Sequence, residues 1–245
     1  MQTLLAPATL EDFIRLLRAW RFWVLGALLG GLLGSVLYLI NPPDYRARAT
    51  VVVSFNMEKS WPNKPDNELF YYLERESRKL VEVAWSDTTL EKVSAQTNLT
   101  ISTLRSSGML ELSQPKDGAW HFYASDPSDK TAAKIAAAWA EAFTNQVHDA
   151  IQSSISLDAA HKALEKNPTD TSLQAMIKNL EGKSLAITPE LQISYSQGTE
   201  LPAERKTSLG IQALAGAVSL LTLAGLAILF LPAAQLARPG GKKQK

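Results

Sequence analysis

Two long apolar runs lie near the ends of the 245-residue chain, and the segment between them is polar. The first run covers residues 22–40 and the second covers residues 209–231, and neither contains a charged residue. At a helical rise of about 1.5 Å per residue the runs would measure roughly 29 and 34 Å, and the hydrocarbon core of a bilayer is about 30 Å thick. We therefore predict transmembrane helices at 22–40 and 209–231.

A cleaved signal peptide is the alternative interpretation of the first run. Its apolar stretch is longer than the usual core of about 7–15 residues in such a peptide, and no small-residue cleavage site precedes Asn41. Trp20 and Trp23 at one end and Tyr38 at the other match the aromatic residues that lie at the two membrane interfaces. The pattern therefore favours a retained anchor.

Small residues recur at helical spacing in both apolar runs. Those of the first run are four residues apart and share one helix face, which lets another helix approach closely. The partner is either the second run of the same chain or a neighbouring copy, although glycine is also common in membrane helices without such a role. The helix-packing candidates are Gly26, Gly30, Gly34, Ala213, Gly216 and Ala217.

The polar middle alternates between strand and helix patterns. Asn41-Pro42-Pro43 must end the first helix, because proline lacks the backbone N–H and clashes with the preceding turn. Residues 45–55 alternate between polar and apolar and then become β-branched, which predicts a strand. Further strands are predicted at 110–112, 121–124 and 191–196, and helices at 68–85, 88–96 and 128–165, the last continuing to about residue 183 after a break at 167–170. The predicted fold class is α+β, with the strands in one sheet, a helical arm at about 128–183, and a linker at 200–206 before the second span.

The flanks of the two spans predict their orientation. Residues 1–21 have apolar positions at helical spacing with Arg15 and Arg18 off that face, which indicates an amphipathic helix at the membrane surface or an extension of the first span. The tail at 232–245 carries four basic residues and no acidic one. Because short basic segments stay in the cytoplasm, both termini are predicted to be cytoplasmic and residues 41–206 to form a periplasmic or other extracytoplasmic domain.

Candidate chemistry is sparse. The chain has no cysteine, which excludes disulfides and thiolate sites, and it has no phosphate-binding loop or metal-ligand motif. His121, His148 and His161 are scattered and are predicted to be structural or at the surface. The acidic residues Glu74, Glu76 and Glu82 alternate with basic ones on one helix, which is typical of a solvated, salt-bridged face or, in an oligomer, of a subunit contact. We predict no catalytic, cofactor or metal site, no enzyme activity and no nucleic-acid surface, because aromatic residues do not alternate with the basic ones.

Several stretches resemble one family. Residues 10–20 (LEDFIRLLRAW) lead amphipathically into the first span, and the membrane exit PPDYRARATV at 42–51 has the proline, tyrosine and alternating alanines of that family, here Pro42, Pro43, Tyr45, Ala47 and Ala49. Residues 124–127 (ASDP) precede an alanine-rich helix, and a strand and a proline-containing linker precede the second span. In this order the stretches resemble the polysaccharide co-polymerases, the Wzz-type chain-length determinant family, of which this chain would be a short, divergent member.

The resemblance implies a two-pass protein of the bacterial inner (plasma) membrane with an α/β base domain and a long protruding helix. It implies a homo-oligomeric ring without enzyme activity or cofactors that regulates the chain length or export of a surface polysaccharide such as lipopolysaccharide. The implied partners are further copies of the chain, membrane lipids, and a polysaccharide polymerase with its lipid-linked glycan. Alternative hypotheses are an accessory or scaffold subunit of another membrane complex and an extracytoplasmic ligand sensor.

Overall fold

A computed structural model describes residue 14 and residues 19–56, 66–106, 108–113, 118–195 and 201–230. Most of the predicted amphipathic segment 1–21, residues 114–117 between two predicted strands, and the basic tail 232–245 lie outside these ranges. The chain divides into two compact units, one built from its two end segments and the other from residues 44–205. The elements are α1 (Trp20–Ile40), β1 (Tyr45–Phe55), α2 (Asp66–Ala84), α3 (Asp87–Thr97), α4 (Ile101–Ser106), β2 (Leu110–Ser113), β3 (Ala119–Asp126), α5 (Asp129–Lys166), α6 (Thr171–Ser184), β4 (Leu191–Tyr195), β5 (Ala203–Arg205) and α7 (Leu209–Phe230).

The first unit contains the two apolar helices, α1 and α7, packed against each other. Both are long and apolar enough to cross a membrane by length and composition. Helix α1 ends where the Asn41 N–H donates to the Leu37 carbonyl, directly before the two prolines. Its large side chains lie mostly exposed; Leu28, for example, is 68% and Leu39 72% exposed. In water such a surface would be unfavourable, whereas lipid tails would cover it.

The second unit is built on an antiparallel sheet in the order β2-β3-β1-β4, with β5 paired to the start of β1. The predicted strands therefore form one sheet, and β1 has the predicted bounds. The interpretation of residues 200–206 as a linker was wrong in part, because Ala203–Arg205 form β5 opposite Tyr45–Ala47. Three residues after Pro202 are too few to show a strand pattern, so this strand exists only through its pairing with β1.

The core lies between the sheet and α5. On β1 the buried residues alternate strictly, from Ala47 and Ala49 to Val51 and Val53, and their side chains face α5. The alanine-rich first half of α5 packs there because small side chains let helix and sheet approach closely. Trp139 fills the centre: it is fully buried, and its indole Nε1 donates to the Ala84 carbonyl over 2.8 Å.

The long helix has nearly the predicted bounds, but its first half belongs to the core. Residues 132–151 supply most of its buried positions, whereas beyond Ser154 most side chains are exposed. The second half pairs with α6 to form a helical hairpin around the break at Pro168. Side-chain caps fix the starts of α3, α5 and α6, at Ser86, Ser128 and Asp170 respectively.

Candidate functional site

The best-defined candidate site is the contact between α1 and α7, where the backbones of the two helices meet at Gly30 and Gly216. A β-carbon placed on Gly30 would collide with the Gly216 carbonyl oxygen and would lie 2.8 Å from the Ala217 Cα. A β-carbon on Gly216 would collide in turn with the Gly30 carbonyl oxygen. Only glycine therefore fits at these two positions, and its absence of a side chain sets the distance between the helices.

The other small residues extend this contact along both helices. Gly34 lies against Gln212 and Ala213, since a β-carbon there would be 2.5 Å from the Gln212 carbonyl oxygen and 3.2 Å from the Ala213 Cα. Gly26 faces Leu220 and Ala224 with ordinary spacing of 3.5 Å. Along the contact, the residue numbers increase on α1 in the direction in which they decrease on α7, so the two helices are antiparallel. The structure thus brings all six helix-packing candidates together within one chain, and the neighbouring copy is not needed as their partner.

One member of this contact was not singled out from the sequence. Gly225 lies under the indole of Trp23, whose Cη2 would be 2.9 Å from a β-carbon on that glycine. The sequence signal was incomplete, since Gly225 lies two four-residue steps after Ala217 but Leu221 interrupts the small-residue spacing between them. The glycine neighbour on α1, Gly31, is different: a β-carbon there meets nothing closer than 3.8 Å. It therefore offers a control position one residue from Gly30.

Polar side chains inside these two helices bond to their own backbone. Ser35 Oγ donates to the Gly31 carbonyl and Ser219 Oγ to the Ala215 carbonyl, each over 2.8 Å. This satisfies the hydroxyl groups without water or a partner, as an apolar surrounding requires. The helix pair can therefore hold the two end segments of the chain together.

The residues of the membrane-exit motif have two different roles, one at the end of α1 and one in the core. Pro42 and Pro43 follow the end of α1, while Ala47 and Ala49 are fully buried in β1 beneath α5. Tyr45 pairs with Arg205 of β5 across the strands, and the guanidinium lies 4.4 Å from the ring centroid. The alternating alanines are therefore explained by close packing of sheet and helix.

The charged face predicted on the helix at 68–85 is not entirely solvated. Glu76 of α2 is buried, and Lys79 Nζ donates to its two carboxylate oxygens over 2.8 and 3.0 Å. Lys79 also donates to the Ala186 carbonyl over 2.7 Å, which links α2 to the segment before β4. The predicted face is salt-bridged, but the prediction that it is solvated was wrong for Glu76, whose carboxylate is buried beside Lys79.

His121 and His148 make hydrogen-bonding contacts that have a structural role. His121 Nδ1 lies 3.0 Å from Thr50 Oγ1, and His148 Nε2 lies 3.2 Å from the Ile193 carbonyl oxygen. Within the described ranges there is no group of three or more residues that could hold a metal ion. Burial raises the pKa of the Tyr195 phenol, and the negative charge of Glu141 raises it further.

A cleft of about 220 Å³ lies between α5 and β4. Its floor is apolar and buried, formed by Ile151, Leu191 and Ile193, and the polar residues His148 and Gln152 lie at its rim. Gln192 also borders the cleft, but it alternates with Leu191 and Ile193 on β4, so its side chain points to the other face of the sheet. No sequence pattern predicted this cleft, because its residues come from two segments about 40 positions apart. The cleft therefore offers a small apolar surface bordered by polar residues.

No protein-family model matches the chain, and no curated protein matches it at a significant level.

Proposed function

We propose that this protein is a two-pass protein of the bacterial inner membrane that regulates the chain length or export of a surface polysaccharide without catalysing a reaction. In this proposal both termini are cytoplasmic, and residues 41–206 lie in the periplasm. Copies of the chain form a homo-oligomer beside a polysaccharide polymerase that carries its lipid-linked glycan.

One observation carries the proposal most: the order of elements around a single sheet. A membrane-length helix runs through Pro42 and Pro43 directly into the central strand β1. The long helix α5 follows, and the chain returns through β4 and β5 to a second membrane-length helix. This order supports the resemblance to the polysaccharide co-polymerases, as do the buried alanines of the exit motif and the packing of the two apolar helices.

The test of the glycan role is deletion of the gene in its own bacterium. We expect the length distribution of the surface polysaccharide to change on a gel, either losing its preferred length or losing surface material. Restoring the wild-type gene on a plasmid should restore the pattern. An unchanged distribution and an unchanged amount of surface polysaccharide would refute this role and leave the fold as described.

The membrane arrangement has a separate test, since the chain has no cysteine of its own. Single cysteines, Glu91→Cys at an exposed position of the domain and Gln244→Cys in the tail, are labelled in intact cells with a thiol reagent that does not cross the inner membrane. We expect only Glu91→Cys to react, because the domain would face the periplasm. Labelling of Gln244→Cys alone would reverse the topology.

The alternative, an accessory or scaffold subunit of another membrane complex, is distinguished by the native mass of the solubilised protein. A multiple of the 26.8 kDa chain supports the proposed homo-oligomer. A single copy bound to other proteins supports the accessory subunit.

A further inference from the structure

In the sheet of residues 44–205, β2 lies at one edge, and β4 lies at the other edge beside the short strand β5. Neither strand contains lysine, arginine or proline, the residues that commonly protect sheet edges from pairing with another chain. The one charged residue in them, Glu111, is occupied by an ion pair of 2.8 Å with Arg46 of the same sheet. Within the described strands, β2 and β4 are therefore short but lack the basic and proline residues that protect an exposed edge.

The outward backbone groups of these strands follow from the register. Asn56 N–H donates to the Glu190 carbonyl, and Val52 lies opposite Ser194, so the even-numbered residues of β4 face β1. The N–H and C=O groups of Ile193 and Tyr195 then point away from the sheet, while the Leu191 N–H donates to the Thr188 carbonyl over 3.3 Å. In β2, the Ser125 N–H donates to the Met109 carbonyl, so the outward groups belong to Leu110 and Leu112.

The two edges are complementary to each other. The path has an even number of antiparallel strands, so β2 and β4 run in opposite directions. On both edges the outward backbone groups belong to residues whose side chains face α5, as their burial shows for Leu110 and Ile193. A β2 strand placed beside β4 of another copy would therefore pair antiparallel and keep the helical layer on the same side.

The cleft beside β4 lies where such a strand would place its side chains. His148 reaches from α5 to the outward carbonyl of Ile193, which locates the cleft at the open edge and on the helical side. With Leu112 opposite Ile193, the Leu112 side chain would enter the apolar floor of this cleft. The Ile193 carbonyl still has a second lone pair for the added strand, since a carbonyl oxygen accepts two hydrogen bonds.

We propose that copies of this protein associate by strand addition, with β2 of one copy pairing antiparallel with β4 of the next and Leu112 seated in the cleft formed by His148, Ile151, Gln152, Leu191, Gln192 and Ile193. Because the two contacting surfaces differ, the contact is head-to-tail and produces a closed ring or a filament. The inference rests on the self-association in the proposed function and is independent of the glycan.

Cysteine cross-linking of the full chain tests this contact. With Leu112 opposite Ile193, Ser113 lies opposite Gln192 on the other face of the sheet, at a non-hydrogen-bonded pair whose Cβ atoms are about 4.5–5.5 Å apart. That separation is close to the spacing of a disulfide. In membranes from cells making the double variant Ser113→Cys/Gln192→Cys, we expect mild oxidation to give a reducible ladder of dimers, trimers and larger species on a denaturing gel. Both residues are polar and at the surface or half-buried, so the substitutions leave the core intact.

The controls separate this contact from the alternatives. Neither Ser113→Cys nor Gln192→Cys alone should cross-link, and Ser113→Cys/Asp158→Cys, with its second cysteine on an exposed part of α5, measures random collision. A dimer from Gln192→Cys alone would mean two-fold pairing of β4 with β4. A ladder no stronger than that of the collision control would mean that the two strands do not meet. Either result overturns the inference. If the cysteine-free protein is multimeric by native mass but the double variant fails to cross-link, strand addition is refuted and self-association stands. A single-copy parent refutes both.

Discussion

At position 30 the backbone of α7 occupies the space where any side chain would begin. The same holds for Gly216 on the opposite helix, so the closest point of the helix pair is a contact between two backbones. Van der Waals contacts and weak polar contacts between the two backbones stabilise this kind of packing. These contacts require a short distance between the helices, so they are lost when a side chain forces the helices apart. Stability of the pair should therefore depend on single methyl groups.

We predict that Gly30→Ala weakens the helix pair by about 1–3 kcal/mol, the usual cost of overpacking a site that cannot relax. The measurement is energy transfer between dyes on Leu39→Cys and Leu209→Cys, exposed positions near the same end of the antiparallel pair, during a denaturing-detergent titration. Gly31→Ala is the matched control, because a methyl group there meets nothing closer than 3.8 Å. Equal midpoints for the two variants would show that the helices do not pack through Gly30.

A second prediction at this scale concerns Trp139. Trp139→Phe removes the Nε1 donor from the Ala84 carbonyl and leaves a gap in the centre of the core. A buried acceptor without its donor costs about 1–3 kcal/mol, so we expect a clear fall in the urea midpoint of unfolding. Trp85→Phe is the comparison, since Trp85 is half-buried beside Trp139 and that variant keeps the hydrogen bond. A smaller loss for Trp139→Phe than for Trp85→Phe would contradict the central role of this side chain.

Among the elements, α6 depends on the cap at its first turn. The Asp170 carboxylate accepts hydrogen bonds from the Ser172 hydroxyl at 2.6 Å and from the Leu173 and Ser172 N–H groups at 3.2 and 2.9 Å. These bonds favour the ionised form and hold the pKa of the Asp170 carboxyl below its usual value. Since the pKa is lowered in the folded state, the stabilisation is complete above the unfolded pKa of about 3.9 and is lost as the pH falls through the folded value.

The resulting prediction compares the wild type with Asp170→Asn, which keeps a capping oxygen but does not titrate. Melting temperatures measured from pH 5 to pH 3 should differ most at pH 5, with the wild type higher, and should converge on acidification. A constant difference over this range would mean that the carboxylate charge contributes nothing to the helix.

The elements also show what local sequence could predict. The caps at Ser86, Ser128 and Asp170 and the alternation along β1 are local signals, and the corresponding elements begin within a residue or two of their predicted positions. In contrast, β5 forms by pairing with Tyr45–Ala47, and Lys79, the partner of the buried Glu76, also reaches the Ala186 carbonyl. Both depend on contacts between distant parts of the chain, which spacing does not encode.

The candidate site also has one part that local sequence predicted and another that depends on contacts between distant residues. Four-residue spacing identified the face of α1 through Gly26, Gly30 and Gly34, because a helix has a fixed period. It left open which helix lies against that face, because spacing on one helix does not specify its partner. The cleft at His148 and Ile193 combines residues from α5 and β4, so it became recognisable only once the sheet and helix were assembled.

For the whole molecule, the division into two compact units makes a prediction about folding. The unit of residues 44–205 contains the complete sheet, α5 and the buried aromatic cluster of Trp120, Phe122, Trp139 and Phe143, whereas the apolar surface that lipid would cover belongs to the other unit. We therefore expect residues 44–205, produced alone without detergent, to be soluble and to unfold in one cooperative transition by urea, followed together by tryptophan fluorescence and circular dichroism. Trp139→Phe in this fragment should lower the midpoint as in the full chain, because the interaction it removes lies entirely within the unit. A fragment that aggregates or unfolds without cooperativity would show that the core between sheet and α5 is completed only in the presence of the two apolar helices.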